Sequence, residues 1–150
     1  MKRKKPKVLF LSTGNAARSQ MAEGFLRALG SEHFDVMSAG VKPGPLNPLA
    51  SEVMKEKGID ISKYEPKNVA QSLKESFAYV ITLSDTARER SPIFPFTTRL
   101  MHWSIKDPAA AEGSPVQRIE AFRRAREEIE GKIKQFITDT AKTTDSQLLV

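Results

Sequence analysis

The chain has 150 residues, 39% of them hydrophobic and 28% charged, which is the size and balance of one globular domain. It contains no cysteine, and this excludes disulfides, thiolate catalysis, iron–sulfur clusters and cysteine-ligated zinc. Of its net charge of +6, five charges lie in Met1–Lys7 (MKRKKPK), so the remaining chain is nearly neutral and offers no general surface for nucleic acid. Residues 1–7 read as a solvated basic tail. The longest apolar run, Phe77–Ile81, falls far short of the ~20 residues that span a bilayer or the ~7–15 of a signal-peptide core. The expectation is a cytoplasmic protein, monomeric, with no membrane partner.

Val8–Leu11 is a continuous apolar run, as in a central strand covered on both faces, and it ends at Ser12-Thr13-Gly14-Asn15. From Ser19, the apolar residues Met21, Ala22, Phe25, Leu26 and Leu29 recur at helical spacing up to Gly30. Phe34, Val36 and Ser38 predict a second strand closed by Gly40 and a proline-punctuated loop. Asn47-Pro48 opens a helix predicted over Leu49–Lys57, and another is predicted over Val69–Glu75. Ala78–Leu83 reads as a buried strand, Asp85–Arg90 as a helical turn and Arg99–Trp103 as a weaker strand. The stripe Ile119, Phe122, Ile129, Ile133 and Phe136 marks a long last helix, and Thr138–Val150 reads as a fraying tail. Domain residues are therefore 8–137, followed by a tail at 138–150. Strands alternating with helices give a parallel sheet with helices on both faces, and ligands bind such sheets at the carboxyl ends of the strands.

The loop after the first strand therefore carries the chemistry. Ser12–Ser19 (STGNAARS) combines a small polar residue, a glycine, an asparagine and an arginine at a helix start. A curled loop with free N–H groups, a helix N-terminus and a guanidinium suits a tetrahedral oxyanion such as phosphate, arsenate or sulfate. It is not a nucleotide P-loop, since no Gly-Lys-Ser/Thr follows, and not a dinucleotide fingerprint, since Gly14 stands alone. A tight turn in which Ser12 and Asn15 cap backbone groups is the plain alternative.

Here the chain resembles the low-molecular-weight tyrosine phosphatases, and within them the thioredoxin-coupled arsenate reductases. The family loop is Cys, five residues, Arg, Ser, matched here at Thr13–Asn15, Arg18 and Ser19. Gln20-Met21-Ala22-Glu23-Gly24 is similar to the reductase branch; further matches are Ser38-Ala39-Gly40, Asn47-Pro48, Ile59-Asp60-Ile61-Ser62, Ser91-Pro92-Ile93, His102-Trp103 and Asp107-Pro108. The resemblance implies a flavodoxin-like three-layer α/β sandwich with a four-stranded parallel sheet, and reduction of arsenate to arsenite in arsenic detoxification. It implies Thr13, Gly14, Asn15, Ala16, Ala17, Arg18 and Ser19 as the anion cradle, Asp107 as general acid, no organic cofactor or transition metal, and thioredoxin as a partner.

The departures bear on activity. Serine stands at the nucleophile position, Ser12, and at both redox-shuttle positions, Ser84 and Ser91; Ala17 stands where many members have another cysteine. An alcohol ionises far above a thiol and has no disulfide chemistry, so the reductase cycle cannot run in this chain. Some family members hold potassium beside the loop through residues that map to Asn15, Glu23 and Ser38, with a fourth at Lys67. The Lys67 ammonium either replaces that cation or points into solvent. Two alternatives to a redox-silent reductase relative stay open: a non-catalytic binding module for phosphate or phosphoprotein, walled by Pro43–Leu46 and Phe94–Phe96, and a weak phosphatase using Ser12 or water with Arg18 and Asp107.

Overall fold

β1 (Lys7–Ser12) is the central strand, and its apolar residues serve two cores. Val8 and Phe10 face one layer while Leu9 and Leu11 face the other, because successive side chains of a strand alternate between faces. Burial on both sides is why the run is apolar without alternation. The computed structural model describes residues 5–94, 97 and 99–148, with side chains of the last helix described as far as residue 141.

β1 pairs in parallel with β2 (Asp35–Gly40) on one side and β3 (Tyr79–Thr82) on the other, and β3 pairs with β4 (Arg99–His102). The sheet order is β2-β1-β3-β4. On the Val8/Phe10 face pack α1 (Arg18–Gly30), α2 (Pro48–Lys55) and α4 (Pro115–Leu148), through Met21, Phe25, Met54, Phe122, Ile129 and Ile133. On the other face, α3 (Asp85–Arg90) and the 3₁₀ turn Val69–Ser72 cover Leu9, Leu11 and Val80 through Ala87 and Val69. This is the expected single α/β domain with a flavodoxin-like parallel sheet. The chain leaves β1 toward β2 on one side and later enters β3 on the other. The carboxyl ends of β1 and β3 therefore flank the switch-point crevice, where the Ser12–Ser19 loop lies.

Two elements depart from expectation. The helix predicted over Val69–Glu75 is only the 3₁₀ turn Val69–Ser72: Asn68 Oδ1 caps Ala70 N–H, and no second apolar turn follows to hold a longer helix. The last helix instead runs through to Leu148, past the fraying point expected at Thr138. No glycine or proline follows Gly131 to stop it, and the Thr138 and Thr140 hydroxyls donate back to the carbonyls of Lys134 and Phe136. Its start is a reciprocal cap. Gln117 N–H donates to Ser114 Oγ and Ser114 N–H to Gln117 Oε1, with Pro115 at the first helical position. No described helix is long and apolar enough to cross a membrane.

Candidate oxyanion site

The loop is curled by an external ladder. The carbonyls of Ser12, Thr13, Gly14 and Ala16 all accept hydrogen bonds from the backbone of the next loop, from the N–H groups of Val41, Lys42, Gly44 and Asn47, at 3.3, 2.8, 3.0 and 2.8 Å. A planar trans peptide sets its N–H opposite its C=O, so the N–H groups that follow these carbonyls turn to the concave side. Asn15 sits at φ +52°, the left-handed conformation that lets the chain reverse here. α1 then begins after Ala17 with no side-chain cap, unlike α2 and α3, which Asn47 and Ser84 cap. Inward N–H groups running into an uncapped helix start make a nest for an anion.

Asn15 is fully buried and holds the loop by four bonds. Its Nδ2 donates to Ser19 Oγ (2.7 Å) and Ser38 Oγ (3.0 Å), while its Oδ1 accepts from Gln20 Nε2 (3.2 Å) and Lys67 N–H (2.8 Å). Ser38 Oγ in turn donates to Glu23 Oε1 at 2.6 Å. Ser19 Oγ, which accepts from Asn15, also shares a hydrogen bond of 2.6 Å with Ser12 Oγ. Ser12 Oγ also accepts Asn15 N–H at 3.2 Å. Ser12 is thereby tied to the loop backbone and to the first turn of α1.

Arg18 closes the site. Its Nη1 donates to the Ile105 carbonyl at 2.9 Å, and its Nη2 lies 4.0 Å from Asp107 Oδ2. Burial lowers the guanidinium pKa, and Asp107 and then Asp85 push it back up; an arginine stays cationic through shifts of this kind. Asp107 opens the turn, as one reading of the sequence has it, and it also approaches Arg18. One carboxylate oxygen accepts Ala109 N–H as a turn cap (2.9 Å), and the other faces Arg18. Ser84 is buried, accepts Ala87 N–H (3.0 Å) as the cap of α3 and meets Thr13 Oγ1 at 2.9 Å. Ser91 lies at the other end of α3 and reaches only Pro92 O, at 3.3 Å. Of the proposed outer walls, Pro43 is exposed between Lys42 and Gly44, whose N–H groups bond the loop, Leu46 packs against the core and Phe94 is buried against Phe77; Pro95 and Phe96 lie outside the described residues.

The Lys67 ammonium does not take a cation's place beside the loop. It is exposed and donates to the Glu65 carbonyl at 3.0 Å, and only the Lys67 backbone reaches Asn15. The charge that answers Glu23 is Arg27, one helical turn along α1, whose Nε lies 2.8 Å from Glu23 Oε2 and whose Nη2 donates to the Val36 carbonyl. Asn15 turns N–H groups toward Ser38, Ser38 donates to Glu23, and Glu23 is already ion-paired. These residues spend their bonds on one another and the Glu23 charge is already answered by Arg27, so the set as arranged does not fit a bound potassium. Among the described residues no group of three His, Asp or Glu is placed to hold a metal ion.

Several contributors went unnoticed in sequence: Gln20, Arg27, the Ile105 carbonyl and Gly40. A Cβ at Gly40 would lie 2.7 Å from both Asn15 N and Gly14 C, so β2 and the loop approach closely only because that side chain is absent. Arg27 had a visible signal in its i,i+4 spacing from Glu23. The others had none.

Residues 7–146 match the family described as low molecular weight phosphotyrosine protein phosphatase. The chain belongs to that family. It lies in the arsenate-reductase-like branch of these phosphatases, being 41% identical over 129 residues to the arsenate reductase of Shouchella clausii strain KSM-K16, across 86% of this chain and 93% of that protein. An arsenate reductase in the phosphate binding state superposes with TM-score 0.78 at 29% identity, covering 89% of this chain and 98% of that one. A thioredoxin-dependent arsenate reductase of Corynebacterium glutamicum superposes with TM-score 0.73 at 27% identity, over 95% of this chain and 65% of that one. This family member has no cysteine anywhere, and the thiol redox chemistry of its branch is lost with it.

Proposed function

We propose that this protein holds a tetrahedral oxyanion, arsenate or phosphate, in the Ser12–Ser19 loop and does not reduce it. The observation that supports this best is the outward turn of the Ser12, Thr13, Gly14 and Ala16 carbonyls, which leaves N–H groups, an uncapped helix start and Arg18 converging on one concavity. Ser12 occupies the nucleophile position as a neutral hydroxyl. Its hydrogen-bond partners, Ser19 Oγ and Asn15 N–H, include no base, which weighs against a phosphatase reading with Ser12 as attacking group. Asp107 stands where an acid for a leaving oxygen would be needed, without a nucleophile to use it. With serine at 84 and 91 no mixed disulfide with a thioredoxin can form, so a thioredoxin is not the reductant of a cycle here.

Calorimetric titration of arsenate and phosphate into the protein tests the reading. Saturable one-to-one binding, abolished in Arg18→Ala, is the expected result, together with no arsenite production when thioredoxin and its reductase are supplied. No binding up to millimolar anion would overturn it and leave the loop a structural turn.

A further inference from the structure

Beside the loop, at the carboxyl ends of β3 and β4, lies a second polar cluster that the anion site as described does not use. His102 Nδ1 is 2.7 Å from Thr82 Oγ1, and His102 Nε2 is 3.1 Å from Asp85 Oδ1. The His102 side chain is only 18% exposed, Thr82 is buried, and Asp85 is the first residue of α3. Asp85 follows Ser84, whose hydroxyl meets Thr13 of the loop, and its carboxylate lies within electrostatic range of Arg18. The remaining charges on α3, Arg88, Glu89 and Arg90, are exposed, and Asp107 Oδ2 lies 4.0 Å from Arg18 Nη2.

Thr82 lets the imidazole change charge without losing a bond. With His102 neutral, the Thr82 hydroxyl donates to Nδ1 and Nε2–H donates to Asp85. With His102 protonated, Nδ1–H donates to Thr82 Oγ1, and the threonine proton turns to the Met101 carbonyl 3.4 Å away. Both states fit one backbone arrangement.

We propose that His102, acting through Asp85, is a proton-linked control on the affinity of the oxyanion loop. The proposal rests on the reading of the loop as an anion site. When the imidazole is neutral, the Asp85 carboxylate, 66% exposed at the rim, keeps its full negative charge within electrostatic range of Arg18 and repels an incoming dianion. When His102 is protonated, the imidazolium neutralises Asp85 and adds positive charge at the rim. Binding then strengthens as pH falls through the histidine range, and by linkage a bound dianion holds the His102 proton more tightly by the same factor. His102 is a positioning and charge-setting residue and does not touch the anion.

Sulfate is the probe, because it stays a dianion across the histidine range while phosphate and arsenate change charge. The chain has two histidines, and His33 is exposed near the amino end of β2, at the opposite end of the sheet from the loop, so it is an internal control. Histidine ring protons are followed by NMR from pH 5 to 9 with and without sulfate, beside calorimetric sulfate titrations at pH 5.5 and 8.5. The expected result is an upward move of the His102 midpoint alone, and sulfate binding at least about fivefold tighter at the lower pH, the lower end of typical couplings between sites. His102→Gln binds weakly at both pH values; Asp85→Asn binds tightly at both. Saturable sulfate binding with equal affinity at both pH values and no separation of His102 from His33 would overturn this proposal and leave the anion site standing. Absence of sulfate binding at either pH would overturn both.

Discussion

Gly40 and Asn15 illustrate how little room the loop has. The left-handed Asn15 is held by four side-chain bonds, and the loop lies against Gly40 at a distance that no Cβ tolerates. Gly40→Ala must push the loop backbone aside, since the obstructing atoms are Asn15 N and Gly14 C. Crowding of this kind costs about 1–3 kcal/mol, a loss the domain can survive. The expected outcome is a folded protein by circular dichroism with a lower unfolding midpoint in urea and no calorimetric sulfate binding. Unchanged sulfate affinity in a folded Gly40→Ala variant would show that the curl is not what creates the site. Glu23 makes a related point, because its buried charge is answered by Arg27 from its own helix and by the Ser38 hydroxyl. A cation would have to displace bonds already made.

At the scale of elements, Ser84 and Ser91, which the resemblance matches to shuttle cysteines, sit in different surroundings. Ser84 caps α3 and ties its first turn to Thr13, whereas Ser91 ends the same helix with one weak bond to a neighbouring carbonyl. Ser84→Ala is expected to destabilise the protein by about 1 kcal/mol, the usual worth of such a cap, and Ser91→Ala by under about 0.5 kcal/mol. Urea unfolding of the two variants measures the difference, and equal midpoints would show that the cap contributes nothing. The sequence displayed these elements unevenly. β1, α1 and α2 were legible because an apolar run, a helical apolar spacing and an Asn-Pro cap mark them in turn. The 3₁₀ turn at Val69–Ser72 and the length of α4 were not, because a short apolar run resembles a helix and a polar helix resembles a tail.

Across the whole molecule, α2 and α4 are joined by charge as well as by packing. Arg123 and Arg126 of α4 both bind Glu56 at the end of α2, and Arg126 also donates to the Val53 carbonyl. Hydrogen bonds from Arg123 and then Arg126 pull the Glu56 carboxyl down to about 2. A carboxyl depressed in the folded state stabilises above its unfolded pKa and loses that contribution as pH falls through the folded value. Urea unfolding of Glu56→Gln against the parent is therefore expected to show a deficit at pH 7 that shrinks steadily below pH 4.5 and is gone by pH 2. A deficit independent of pH would mean that packing, and not the ion pair, was lost.

By itself, the sequence determined the alternation of strands and helices, the position of the loop at the end of the first strand, the family likeness and the absence of thiol chemistry. These are properties of neighbouring residues and of composition, which a linear reading can see. Tertiary structure decided which groups meet. Thr13 meets Ser84 across 71 positions, Asn15 meets Lys67 N–H across 52, and His102 meets Thr82 and Asp85 across 20 and 17. It placed the Lys67 ammonium outside the loop and set the Ser38 hydroxyl against Glu23. No periodicity relates the long-range pairs. They exist because parallel pairing brings the carboxyl ends of β1, β3 and β4 into register, and the residues that follow each strand are carried to the same edge of the sheet.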